Sequence, residues 1–179
     1  MDKENLILRN HKVLIAEEQL QTRIKELAEQ INKDYEGKEL VLVSVLKGSF
    51  MFLADLIKHL TIPVQIEFIR LSSYGNDTRS CGKVKAVDLT LPNLGDKDIL
   101  IVEDIIDTGL TASFLINYFS FQHPVASIKF SALLNKECAR TQPVTVDYSG
   151  FIIDDKFVIG YGLDYAGYYR NLPYIGYFS

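Results

Sequence analysis

Two short apolar runs constrain this chain more than any other feature. Residues 40–46 read LVLVSVL and residues 99–103 read ILIVE, each almost continuous in branched apolar residues. A strand that is apolar on both sides must be covered on both faces, which is the condition of a parallel sheet held between helices. The segments between the runs supply those helices. Leu20, Ile24, Leu27 and Ile31 recur at helical spacing among charges, so residues 16–34 are predicted to form an amphipathic helix that stops before Gly37. Further helices are predicted over 49–60 and from 111 to about 121, with strands at 64–71 and 127–134. The alternation predicts an α/β fold, an open twisted parallel sheet flanked by helices. Ligands of such sheets bind beyond the carboxyl ends of the strands, so the chemistry is sought in the loops there.

Two regions break the rhythm. Ser72 to Gly82, SSYGNDTRSCG, gathers small, polar and turn-forming residues and reads as a hairpin or lid. From Phe151 onward the chain is dominated by Tyr and Gly, and this stretch is expected to cap the core. With 179 residues, 47% of them hydrophobic, one domain is expected. Its core would span about 16–142, with a small hood built from about 1–15 and 143–179.

A net charge of −4 leaves no broad basic face for coating nucleic acid, so no nucleic-acid partner is expected. Neither a leader-like apolar stretch nor a run of eighteen apolar residues is present, and the expectation is a cytoplasmic protein that does not enter membranes. Cys81 and Cys138 lack metal-ligand spacing, and His11, His59 and His123 are scattered. Ordinary reduced thiols are the expectation.

The segment richest in chemistry is ILIVEDIIDTGLT, residues 99–111. A buried strand delivers Glu103 and Asp104 to its carboxyl end, and Asp107-Thr108-Gly109-Leu110-Thr111 leads into a helix. Small residues let backbone amides approach a ligand, two hydroxyls add donors, and the helix amino terminus favours an anion such as a phosphate monoester. Side chains alternate along a strand, so Glu103 and Asp104 share a crevice only if the chain leaves the pleat, which a loop beginning at Asp104 would allow. Such a pair suits ribose hydroxyls or Mg²⁺. Two plainer readings compete. Asp107 and Thr108 could simply cap a helix while the acids are solvated. An aspartic protease also carries D-T-G after an apolar run, but needs two such aspartates on a β architecture.

This segment resembles the phosphoribosyl diphosphate motif of type I phosphoribosyltransferases, in the form found in the hypoxanthine-guanine group. LKGS at 46–49, SY at 73–74, LLNK at 133–136, DKFVIGYGLDY at 155–165 and YYR at 168–170 follow in the family's order and spacing. Nearly the whole chain is covered. The resemblance implies the type I phosphoribosyltransferase fold and a purine salvage enzyme. It would move a phosphoribosyl group from phosphoribosyl diphosphate to hypoxanthine or guanine, giving IMP or GMP and releasing diphosphate.

The same resemblance implies a role for each residue. Thr108, Gly109, Leu110 and Thr111 would cradle the 5′-phosphate, Glu103 and Asp104 would face the ribose diol and its Mg²⁺, and Asp107 would take the proton near N7 of the base. Lys47 and Gly48 would meet the diphosphate, across a Leu46–Lys47 bond that the family holds cis. Lys136 and Lys156 would lie near the purine O6, Lys156 as its main donor, with Phe157 stacking on the base and Val158 meeting its edge through the backbone. Asp164 would bind a second Mg²⁺ and Arg170 would clamp the diphosphate. Ser73 and Tyr74 would close as a lid. Relatives are commonly homodimers or homotetramers.

Two departures stand out. Leu110 replaces a lysine that some members carry, and Asp154 stands where many relatives have proline. Neither removes a group the reaction needs. A rival reading is a relative that keeps this fold to sense phosphoribosyl diphosphate while binding RNA or DNA. That role needs an added basic face, which this acidic chain lacks.

Overall fold

The computed structural model describes residues 10–73, 84–122 and 125–178. The elements are β1 (His11–Ile15), α1 (Glu17–Asp34), β2 (Leu40–Leu46), α2 (Phe50–Leu56), β3 (Val64–Ser73), β4 (Val84–Asp88), β5 (Asp98–Ile106), α3 (Leu110–Gln122), β6 (Ser127–Asn135), β7 (Tyr148–Ile152), β8 (Val158–Ile159) and β9 (Ile175–Phe178). In α1 the periodic Leu20, Ile24, Leu27 and Ile31 are all buried. Gln19 accepts from the Ala16 amide at 2.9 Å, and Glu17 and Glu18 occupy the first turn, where the helix dipole favours them.

A six-stranded sheet runs in the order β4-β3-β2-β5-β6-β7, and only β4 is antiparallel to its neighbour. The two apolar runs lie side by side at its centre as β2 and β5. Alternation sends Leu40, Leu42, Leu100 and Val102 into one core with α1 and α2. It sends Val41, Val43, Ile99 and Ile101 into a second core with Ala112, Leu115 and Phe119 of α3. Both faces are covered, as continuous apolar strands require. A separate antiparallel sheet, β1-β9-β8, joins the two ends of the chain.

Two expectations need correction. The strand carrying Glu103 and Asp104 does not turn into a loop at Asp104: β5 stays paired with β6 through Ile106↔Asn135, and both acids reach one cavity at the strand end without it. The central sheet is mostly parallel, as expected, with β4 alone antiparallel to its neighbour β3. The chain after about residue 143 is not all hood, since β7 is the outer parallel strand beside β6. Only β1, β8 and β9 form the small sheet. The proposed lid lies outside the described residues from Tyr74 onward, and Ser73 is described only as the last residue of β3.

Candidate active site

A cavity of about 440 Å³ opens where the ends of β2 and β5 meet the segment around β8. Lys47, Gly48, Glu103, Asp104, Asp107, Thr111, Lys136, Lys156, Phe157, Val158, Asp164 and Arg170 all line it. These come from five separate stretches of sequence, brought together by the parallel sheet and the small sheet. Thr108, Gly109 and Leu110 stand beside the cavity, in the turn that starts α3.

That turn is held tightly. The Thr108 amide donates to Asp107 Oδ1 at 2.5 Å, and the Thr108 hydroxyl donates to the same oxygen at 3.2 Å. Gly109 has φ +82, and a Cβ there would lie 2.8 Å from the Gln142 carbonyl oxygen. Only glycine takes this conformation against that neighbour at no cost. From the other side, the Thr141 and Gln142 amides both donate to Thr108 O at 3.0 Å.

Charge is concentrated at the β5 end. Glu103 is buried at 5% exposure, and its Oε1 has no hydrogen-bond partner among the described residues. Burial, with the charges of Asp104 and Asp107 adding to it, raises its carboxyl pKa well above the ordinary value. The Asp104 carboxyl is likewise pushed up, to about 6, chiefly by burial. Two carboxylates with too little counter-charge fit a divalent cation. Among the described residues no three acidic, histidine or cysteine side chains gather into a metal cage, so a metal here would need oxygens from a substrate as well.

The Leu46–Lys47 peptide is cis, and Gly48 follows it directly against Asp104. Across the cavity Arg170 Nη2 pairs with Asp164 Oδ1 at 2.6 Å, while Nη1 donates to Gly162 O at 2.5 Å. The Gly167 amide donates to Asp164 Oδ2 at 2.7 Å. A carboxylate offers about four acceptor positions, so Asp164 keeps capacity for another ligand. Lys136 lines the cavity, and its Nζ donates to Lys156 O at 2.7 Å and lies 3.3 Å from Asp155 Oδ1. In this structure it fastens the segment that carries Lys156.

Sequence reasoning missed two contributions. Val45, Leu71, Ile105 and Leu163 add apolar lining, and no local pattern separates them from core residues. Arg140 reaches under the Asp107 turn, with Nε donating to Asp107 O at 3.0 Å and Nη2 to Asn135 Oδ1 at 2.5 Å and Ile106 O at 3.4 Å. Its Nη1 donates to Val144 O at 3.3 Å.

Comparison with known proteins gives the family. Residues 7–166 match the phosphoribosyl transferase domain. A hypoxanthine-guanine phosphoribosyltransferase of Bacillus subtilis is 46% identical over 165 residues, 92% of this chain and 91% of that protein. One from Lactococcus lactis is 44% identical over 176 residues, covering 98% and 95%. The crystal structure of a Bacillus anthracis hypoxanthine-guanine phosphoribosyltransferase superposes with a TM-score of 0.87 at 50% identity, covering 93% of this chain and 97% of that one. A domain match over most of the residues, relatives alike along nearly their whole length and a shared fold lead to one conclusion: the chain belongs to the phosphoribosyltransferase family.

Proposed function

We propose that this phosphoribosyltransferase serves purine salvage by joining hypoxanthine or guanine to the ribose of phosphoribosyl diphosphate, with Mg²⁺ as cofactor. One observation carries the reading. A single cavity has carboxylates and a glycine-bearing turn at one end, and Lys156, Phe157 and Val158 at the other, which suits a charged sugar phosphate joined to a flat base.

In the reaction a ring nitrogen of the base bonds to C1′ of ribose while the bond from C1′ to the diphosphate oxygen breaks. The proton on N7 passes to the Asp107 carboxylate, which is exposed and held by the turn through Oδ1. Thr108 to Thr111 receive the 5′-phosphate with amides and hydroxyls. Lys47 and Gly48 take the diphosphate, with Arg170 as clamp. Lys156 donates to O6, Val158 meets the base edge through its backbone, and Phe157 offers a ring face. Glu103 and Asp104 would hold one Mg²⁺ at the ribose and Asp164 a second at the diphosphate, the unpaired Glu103 oxygen supporting the first. Bound Mg²⁺ supplies the positive charge that offsets the diphosphate. Ser73 and Tyr74 belong to the lid in this reading.

No helix among the described residues is long and apolar enough to cross a membrane. The proposal places the enzyme in the cytoplasm as a homodimer or homotetramer, the latter testable by sedimentation velocity. Steady-state kinetics with hypoxanthine, guanine, xanthine and adenine test the activity itself, with and without a chelator. Turnover with the first two bases that vanishes on chelation and returns with Mg²⁺ is expected. Preferred use of adenine, or full turnover without metal, would overturn it.

A further inference from the structure

A tight turn closes at residues 160–163: the Gly160 amide donates to Leu163 O at 3.1 Å, and the Leu163 amide donates back to Gly160 O at 3.0 Å. Its central residues, Tyr161 and Gly162, have φ +48 and +97, the left-handed pair of a type I′ turn. Glycine, asparagine or aspartate usually fills the first of these places, because a bulky side chain there is strained. Tyr161 fills it instead, and is 1% exposed. Such a position persists where its surroundings over-determine it. Here the tie is visible. The Tyr161 hydroxyl donates to Asp55 Oδ2, near the end of α2. Gln21 Nε2 of α1 donates to the same oxygen at 2.8 Å, and Lys58 Nζ donates to Oδ1 at 2.7 Å. Burial, with the Asp55 carboxylate adding to it, raises the hydroxyl pKa above its ordinary value, so the hydroxyl stays a donor.

The other side of the turn faces the site. A Cβ on Gly162 would overlap the Gly48 carbonyl oxygen, so the turn and the Lys47–Gly48 loop meet backbone to backbone. The Gly162 amide donates to Arg170 O at 2.9 Å, and Gly162 O accepts from Arg170 Nη1 at 2.5 Å. Leu163 and Asp164, next in the chain, line the cavity. The Lys47–Gly48 loop leads into α2, the helix that carries Asp55. We propose that Tyr161 and Asp55 are positioning residues for the diphosphate end of the site: their hydrogen bond fixes the turn to α2, and so sets Gly48, Asp164 and Arg170 at one spacing. Gln21 braces the carboxylate from α1. This rests on the reading that those three residues receive the diphosphate and its Mg²⁺. The base end is held separately, because Val158 and Ile159 pair with Tyr177 and Gly176 of β9.

The test is steady-state kinetics of Tyr161→Phe, Asp55→Ala, Asp55→Asn, Lys58→Ala and the double variant Tyr161→Phe/Asp55→Ala in the full chain. Tyr161→Phe is expected to raise KM for phosphoribosyl diphosphate about tenfold, less than the roughly 10²-fold that a 1 Å displacement can cost, because the turn keeps its backbone bonds. KM for hypoxanthine stays unchanged. Asp55→Ala shows the same split, and Asp55→Asn, which keeps an acceptor oxygen for Tyr161, recovers most of the wild-type value. Lys58→Ala removes only an exposed ion pair and changes neither KM. In the double variant the two losses do not add. If Tyr161→Phe does not fold, Gln21→Leu carries the test, with a smaller rise in the same KM alone. An unchanged KM for phosphoribosyl diphosphate, an equal rise for both substrates, or additivity in the double variant overturns the inference. Calorimetry with inorganic diphosphate and Mg²⁺ separates its failure from that of the functional reading. Wild type that binds no diphosphate sinks the reading and the inference together, whereas equal affinity in wild type and Tyr161→Phe sinks the inference alone.

Discussion

Gly48 and Asp104 occupy one shared space: a Cβ built on Gly48 would overlap the Asp104 carboxylate. The loop after β2 therefore closes on the end of β5 only because residue 48 has no side chain. Gly48→Ala must displace either the loop or the carboxylate, and displacements near 1 Å at a reacting centre can cost about 10²-fold in rate. A fall of that order in kcat/KM for phosphoribosyl diphosphate is expected. Wild-type kinetics in the alanine variant would show that the contact is irrelevant to the site.

The Asp104 carboxyl gives a pH-dependent prediction for the metal-free protein. Its pKa stands at about 6 in the fold, against an ordinary 3.8, mainly through burial. The folded state thus holds this proton more tightly than the unfolded chain does. The resulting stability is fully present below pH 3.8 and is lost as pH rises through about 6. Asp104→Asn, neutral throughout, is expected to stabilise the chelated protein by about 1 to 3 kcal/mol at pH 8, discounted because the group lines an open cavity. The gain disappears near pH 3.5. Denaturant melts of both proteins at the two pH values measure it, and a variant less stable than wild type at pH 8 would contradict the assignment.

Much of this site was legible because its signals are local. The run ILIVEDIIDTGLT carries its strand, its acids and its turn within thirteen consecutive residues, and the periodic leucines and isoleucines of α1 announce their own burial. Pairing is not local. Nothing in YSGFI marks β7 as the partner of β6, and β4 joins β3 from beyond residues 74–83. The strand also continued past Asp104 because β6 kept pairing with it as far as Asn135, a constraint that alternation within β5 alone does not reveal. Arg140 escaped notice for the same reason: it follows a short 3₁₀ turn (Glu137–Ala139) and finds its partners at Asp107 and Ile106, more than thirty residues away in sequence.

That position makes Arg140 a testable support of the Asp107–Thr111 turn. Its guanidinium bonds Asp107 O, Ile106 O, Val144 O and Asn135 Oδ1, a fan that one lysine ammonium cannot span. Arg140→Met strands several carbonyls and loosens the turn. It is expected to cost about 1 to 3 kcal/mol of stability and to raise KM for phosphoribosyl diphosphate more than KM for the base. Arg140→Lys is expected to recover little. Thermal melts and paired KM measurements check both, and equal changes in the two KM values would reduce Arg140 to a general structural role.

The last prediction concerns the 6-position itself. Lys156 lines the cavity with its side chain 39% exposed, and its ammonium can only donate. Hypoxanthine and guanine present an acceptor oxygen there, while adenine presents another donor. A site built around a required hydrogen bond rejects an analogue lacking it by about 10⁴ to 10⁵-fold, because the buried group is left unpaired. Partial exposure lets water repair some of that loss, so discrimination at the lower end of this range is expected for the wild type. In Lys156→Gln the amide can donate or accept, and the ratio of kcat/KM for hypoxanthine over adenine is expected to collapse. The collapse comes mainly from lost hypoxanthine efficiency, since Phe157 still offers its ring to either base. Measured at one Mg²⁺ concentration, an unchanged ratio would move the reading of the 6-position to Lys136, which lines the same cavity and keeps a donor beyond its bonds to Lys156 O and Asp155 Oδ1, or to the Val158 backbone.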